Sequence, residues 1–168
     1  MQCFNRKFLS VFLLNLVFAI ASLATVSLCL SSQANAQGRR AAAAGDDDPL
    51  FSNFKGVSIG MTADECRHKL GDPRDKGTEQ DFYVFNEKQA VQVYYDKTGK
   101  VTAISIDFMG AGSEAPLPKS LFGSDLEAKP DGSMYKLVRY PKAGYWVSYN
   151  RTAGDGGLIT VTMQKIGQ

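Results

Sequence analysis

Between Ile59 and Phe108 the spacing of apolar residues changes period once. Ala63, Cys66 and Leu70 recur at the interval of a helix face, and from Asp81 onward apolar and polar residues alternate. The first stretch specifies both helix ends. Thr62 suits the N-cap and Glu65 follows three residues later, so the pair forms a capping box for two otherwise orphaned amides. Met61 and Cys66 are spaced as a hydrophobic staple around that cap, Gly71 suits the left-handed end of a helix, and Pro73 prevents its continuation. One helix over residues 62–71 is predicted.

The alternating stretches predict six strands. Phe82 to Asn86, Ala90 to Asp96 and Val101 to Phe108 form a first antiparallel meander, its last two strands joined by the glycine-containing turn Asp96-Lys97-Thr98-Gly99-Lys100. Tyr135 to Tyr140, Tyr145 to Tyr149 and Leu158 to Met163 form a second. A shift of 54 residues lays Val91–Asp96 on Tyr145–Asn150 and Val84 on Val138, and after a longer turn Ile104 falls on Val161. That agreement reads as an internal repeat. The region matching the helix, Pro116-Leu117-Pro118-Lys119-Ser120-Leu121-Phe122-Gly123, holds two prolines and permits one helical turn at most. The expected fold is α+β, one short helix packed on an antiparallel sheet of about six strands built from two related β-meanders.

Upstream of Pro49 the pattern is different. Arg6 and Lys7, an apolar run from Phe8 to Leu30 and the site Ala34-x-Ala36 follow the order of an export signal, which places residues 1–36 in a signal peptide and the chain in the periplasm or outside the cell, with association to the outer membrane a further expectation. The run of 23 residues is also long enough to cross a bilayer if it is retained, which is the one route to membrane contact. Cys29 is flanked by Leu28 and Leu30 rather than by the small residue that lipid attachment requires, and it reads as part of the apolar run. Residues 37–48 combine two arginines, four alanines and three aspartates with little apolar bulk, a composition expected of a flexible tether. Residues 49–168 are left as one domain of ordinary size.

Cleavage after Ala36 removes two of the 19 basic side chains and none of the 17 acidic ones, so the mature charges balance. A balanced surface gives no electrostatic footprint for nucleic acid. Of the three cysteines only Cys66 remains, which rules out an internal disulfide in the mature chain.

The residues with chemical potential do not assemble. Cys66 and the single histidine, His68, are separated by about 200° on a helix, so Cys66 is expected in the core and His68 in solvent. One histidine and one cysteine make no metal-ligand cluster, Asp46-Asp47-Asp48 lacks the alternating spacing of a calcium loop, and Gly154-x-Gly156-Gly157 joins two strands rather than opening a helix. No catalytic residue, metal site or small-molecule cofactor is expected.

Aromatic residues give the functional expectation. If Val93 and Tyr95 face the helix, Gln92 and Tyr94 face away, and the repeat puts Trp146 and Ser148 on that same outward face. Tyr83 and Phe85 are placed there from the neighbouring strand, with Arg139 nearby. Tyr83, Tyr94, Arg139 and Trp146 have the composition of a protein-binding hot spot. The same alternation is met if Trp146 belongs to the core, covered by the second half of the sheet or by the Phe108–Pro130 loop.

The run Gly60-Met61-Thr62, Cys66, Leu70-Gly71-Asp72-Pro73, an aromatic strand, Val91–Tyr95 and Gly99-Lys100-Val101 resembles the SmpA/OmlA family over residues 55–108. Its best-known members are envelope lipoproteins of the machinery that assembles outer-membrane β-barrels. The tandem unit also resembles the β-lactamase inhibitor protein. The resemblance implies a non-enzymatic module of the bacterial cell envelope that binds other proteins, or a secreted or periplasmic inhibitor of another enzyme.

Overall fold

A computed structural model describes residues 43–44, 48–110, 114–154 and 157–167. The expected signal peptide, most of the expected tether, Asp46, Asp47 and Gly156 lie outside the described residues. Helix α1 spans Ala63–Leu70 and starts as its sequence dictates: the Glu65 amide donates to Thr62 Oγ1 at 3.3 Å, and the Thr62 amide donates to Glu65 Oε2 at 2.8 Å. Gly71 ends it with φ +84° and ψ −164°, an extended positive-φ conformation open essentially to glycine alone and distinct from the expected left-handed turn. A second helix, α2, is the single turn Pro118–Phe122 that the two prolines allow.

Among the described residues eight strands form one sheet. They are β1 (Ala43–Ala44), β2 (Asp75–Lys76), β3 (Gln80–Asn86), β4 (Gln89–Tyr95), β5 (Val101–Phe108), β6 (Met134–Tyr140), β7 (Tyr145–Arg151) and β8 (Ile159–Lys165). Their order is β1-β6-β7-β8-β5-β4-β3-β2, antiparallel throughout except where β1 pairs parallel with β6. The six long strands are the six expected ones. Within the expected tether, Ala43 pairs with Val138 and Ala44 with Arg139. Two-residue strands therefore line β3 and β6, a short-edge arrangement that limits pairing with other chains.

Each half is a meander, and the two meet where β5 pairs with β8. Side chains face the same way in both, but the pairing register differs from the sequence alignment of the halves. Val93 lies opposite Ile104, whereas Val147 lies opposite Met163 rather than Val161. An offset of two residues preserves which face each side chain takes.

The core lies on one face of the sheet. Val91, Val93, Tyr95, Ile104, Ile106, Val147, Tyr149, Val161 and Met163 pack there with Cys66 of α1, Leu121 of α2 and Val57. The chain leading into α1 is tied to the β4–β5 hairpin: the Val101 amide donates to Met61 O at 2.8 Å and the Ala63 amide to Gly99 O at 2.9 Å. This fixes the helix start beside the hairpin turn and leaves the far face of the sheet to other uses.

Candidate functional site

A buried carboxylate organises the region between α1 and the first meander. Asp81, at the start of β3, has no solvent exposure. Arg67 of α1 reaches it with both ends of its guanidinium, Nε to Oδ2 at 2.8 Å and Nη2 to Oδ1 at 3.1 Å. The Tyr95 hydroxyl donates to Oδ2 at 2.8 Å and the Gly77 amide to Oδ1 at 3.1 Å, while Arg67 Nη2 also donates to the Gly77 carbonyl at 3.0 Å. Burial raises the Asp81 pKa, but the hydrogen bonds from Arg67, Tyr95 and Gly77 and the Arg67 charge outweigh it and hold the carboxyl below its usual range. Gly77 is required by the packing, because a Cβ there would stand 2.6 Å from the Gln80 carbonyl oxygen.

Outside this cluster lies an open cleft of about 1050 Å³ bounded by α1, residues 77–79 and the hairpin turn, with Arg67, Glu79, Tyr94 and Lys97 among its lining residues. The carboxylate beneath it is fully engaged as an acceptor of charged and neutral donors. Such a group anchors the helix to the sheet and is poorly suited to proton transfer.

Cys66 and His68 sit as their helical spacing requires, the thiol in the core and the imidazole in solvent. Burial, with Asp81 and Glu65 nearby, pushes the Cys66 thiol up to about 11.

Three of the four residues expected to bind a partner share the outer face of the sheet. Register places Tyr94 beside Ala103, Ala103 beside Gln164, Gln164 beside Trp146 and Trp146 beside Arg139. One row across five strands thus carries Tyr94, Trp146 and Arg139. Tyr94 and Trp146 are partly exposed and Arg139 is exposed. Tyr94 lines both the cleft and a smaller trough on this face.

The fourth residue is elsewhere. Tyr83 is 2% exposed and belongs to the core, because it pairs with Val91, which faces inward. Phe85 follows it on the inner face, parallel to the Tyr83 ring with centroids 6.2 Å apart, and Lys55 Nζ lies 4.4 Å from the Phe85 centroid. The cluster of Arg67, Asp81 and Tyr95 is not announced by any local pattern in the sequence. Its available signal was an aspartate two residues before Tyr83, on the side that alternation assigns to Tyr83, wherever that side lies.

The chain matches no family model and no curated protein sequence. Among solved structures it is similar to a DUF4309 family protein, YjgB, from Bacillus subtilis subsp. subtilis str. 168. The identity is 16%, covering 66% of this chain and 83% of that chain, with a TM-score of 0.40.

Proposed function

We propose that this chain is a non-enzymatic, exported interaction module of the bacterial cell envelope, of SmpA/OmlA type, that binds another protein through the outer face of its sheet. The observation that carries the reading is the row holding Tyr94, Trp146 and Arg139, two aromatic anchors and a guanidinium in register. Tryptophan, tyrosine and arginine are the residues that dominate binding energy at protein interfaces. A non-enzymatic role is supported by the state of the reactive groups: Asp81 is committed to Arg67, Tyr95 and Gly77, and the Cys66 thiol is buried with a raised pKa.

The alternative, a secreted or periplasmic inhibitor of another enzyme, is favoured by two meanders joined side by side into one continuous face. Duplication of an ancestral meander accounts for that arrangement. Its support is the shared facing of β4 with β7 and the pairing of Ser105 with Thr162 between Ile104–Met163 and Ile106–Val161, a locally two-fold pattern. The two-residue offset in the middle strands requires one later slip in pairing.

The test is affinity capture from envelope extract with the wild-type protein and with Tyr94→Ala/Trp146→Ala, matched for folding by circular dichroism. The expected result is a specific protein partner lost in the folded double variant. Retention of every specific partner by that variant removes the outer face as the site. An outer-membrane protein as partner favours the assembly role, and a soluble enzyme favours inhibition.

A further inference from the structure

The outer face changes character across its width. Its two central strands present Ala103, Ser105 and Asp107 from β5 and Thr160, Thr162 and Gln164 from β8, with Asp107 accepting from the Thr160 hydroxyl, while the flanking strands present Tyr94 and Trp146. Their backbone positions stand three strand spacings apart, about 14 Å. Tyr94, Thr102, Ala103, Ser105, Thr162 and Gln164 line an open trough of about 380 Å³, and Trp146 stands next to it as the cross-strand neighbour of Gln164.

The lining selects by chemistry. It offers a phenol, three hydroxyls, one amide and a methyl group, and no carboxylate, amine or guanidinium. An ion held in it would meet no counter-charge from the lining. A wholly apolar ligand would cover hydroxyls and an amide without satisfying them. A ligand that meets both constraints is neutral, carries donors and acceptors around its edge and presents C–H faces to aromatic rings. Sugar rings have this construction. Ser105 Oγ and Thr162 Oγ1 share one hydrogen bond at 3.2 Å with either as donor, which leaves one hydroxyl proton and spare lone pairs. The Tyr94 hydroxyl is anchored on Gln92 Oε1, which fixes its ring at the trough wall.

We propose that this trough binds a neutral oligosaccharide lying across the strands, with sugar rings stacked on Tyr94 and Trp146 and hydroxyls bonded to Gln164 and the Ser105–Thr162 pair. This assignment goes beyond protein binding and stands without it. A protein partner needs the rings and Arg139 as anchors, whereas a glycan needs the polar floor as well.

Trp146 is the only tryptophan of the chain and neighbours Gln164 at the trough edge, so its emission reports on a ligand that reaches from the trough onto its ring. The protein is titrated with cellotetraose and with tetra-N-acetylchitotetraose, followed by tryptophan fluorescence and by calorimetry. A saturable response to one of them is expected, stronger for the tetrasaccharide than for its disaccharide. Tyr94→Ala and Thr162→Val, the second nearly isosteric and lacking only the hydroxyl, are each expected to weaken binding about tenfold. Failure of both sugars to give a saturable signal by either method at millimolar concentration overturns the proposal. So does binding that Thr162→Val and Tyr94→Ala leave unchanged. Capture of a protein through Tyr94 and Trp146 without any sugar response overturns the glycan assignment while protein binding stands.

Discussion

Arg67 of α1 and Asp81 of β3 form a two-point ion pair, 2.8 Å from Nε to Oδ2 and 3.1 Å from Nη2 to Oδ1, that ties α1 to the sheet. The carboxylate is wholly buried and the arginine side chain is 19% exposed, so water does little to screen the pair. By contrast Arg67 and Asp64, 3.5 Å apart with Asp64 96% exposed, make a surface contact of small worth. Truncating one partner of a buried pair leaves the other charge uncompensated. Asp81→Ala is therefore expected to lower stability by about 3–5 kcal/mol, since it strands Arg67, the Tyr95 hydroxyl and the Gly77 amide together. Arg67→Met is expected to cost less, because Asp81 keeps Tyr95 and Gly77 and can take up a proton. Urea unfolding of the two variants at neutral pH checks both the size and the order; Arg67→Met as the more damaging change would contradict this account.

The same pair sets an acid dependence. The folded Asp81 pKa lies below the usual aspartate value because donors to its carboxylate outweigh the effect of burial. The unfolded chain then binds protons first as pH falls. The stabilisation is present in full above the usual value, about 4, and is lost as pH drops through the folded value. Glu65, held low by its backbone and side-chain hydrogen bonds to Thr62, acts in the same direction. The urea midpoint is expected to stay level from neutral pH to about pH 5 and to fall below that. In Arg67→Met the cost relative to wild type is expected to shrink on acidification. An unchanged cost between pH 7 and pH 3 would mean that the pair does not govern the acid limb.

What the sequence made legible, and what it hid, follows from the range of each interaction. The capping box of Thr62 and Glu65, the turn at Asp96–Lys100 and the one-turn limit on α2 are set within a few residues, and each is found where the sequence places it. Alternation also identified the inward set Val91, Val93 and Tyr95. It could not relate the inward side of β3 to that of β4, because this depends on pairing across a turn. Tyr83 opposite Val91 puts the odd-numbered residues of β3 inside, which buries Tyr83 and Asp81 together. Once Asp81 is known to be inside, a cationic partner is required, and Arg67 is the neighbour of the already buried Cys66. That inference needed one piece of register that no local pattern contains.

Burial of Cys66 makes a chemical prediction. The thiol has no solvent exposure and a pKa pushed up to about 11, so little thiolate exists at pH 8 and none of it is accessible. Alkylation of the native protein by iodoacetamide, followed by mass spectrometry of the peptide containing Cys66, is expected to find that site unmodified. Modification should appear in urea at the concentrations that unfold the chain. Rapid labelling of Cys66 in the native state would show that α1 opens independently of the sheet.

Tyr83 and Trp146 provide the sharpest contrast between the two faces. Tyr83 is 2% exposed, packs against Phe85 and pairs across from Val91 on the core side. Its truncation to alanine opens a cavity the size of most of an aromatic ring, at a cost of about 3–5 kcal/mol. Trp146 pairs across from Gln164 and Arg139 on the partly exposed outer face. Its truncation removes surface contacts without opening the core, so Trp146→Ala is expected to cost markedly less than Tyr83→Ala while abolishing whatever the outer face binds. Denaturant unfolding gives the first comparison and ligand or partner capture the second. Equal destabilisation by the two changes would place the Trp146 ring in packing that holds the sheet together, and the binding surface would then lie at the cleft beside Arg67 and Lys97.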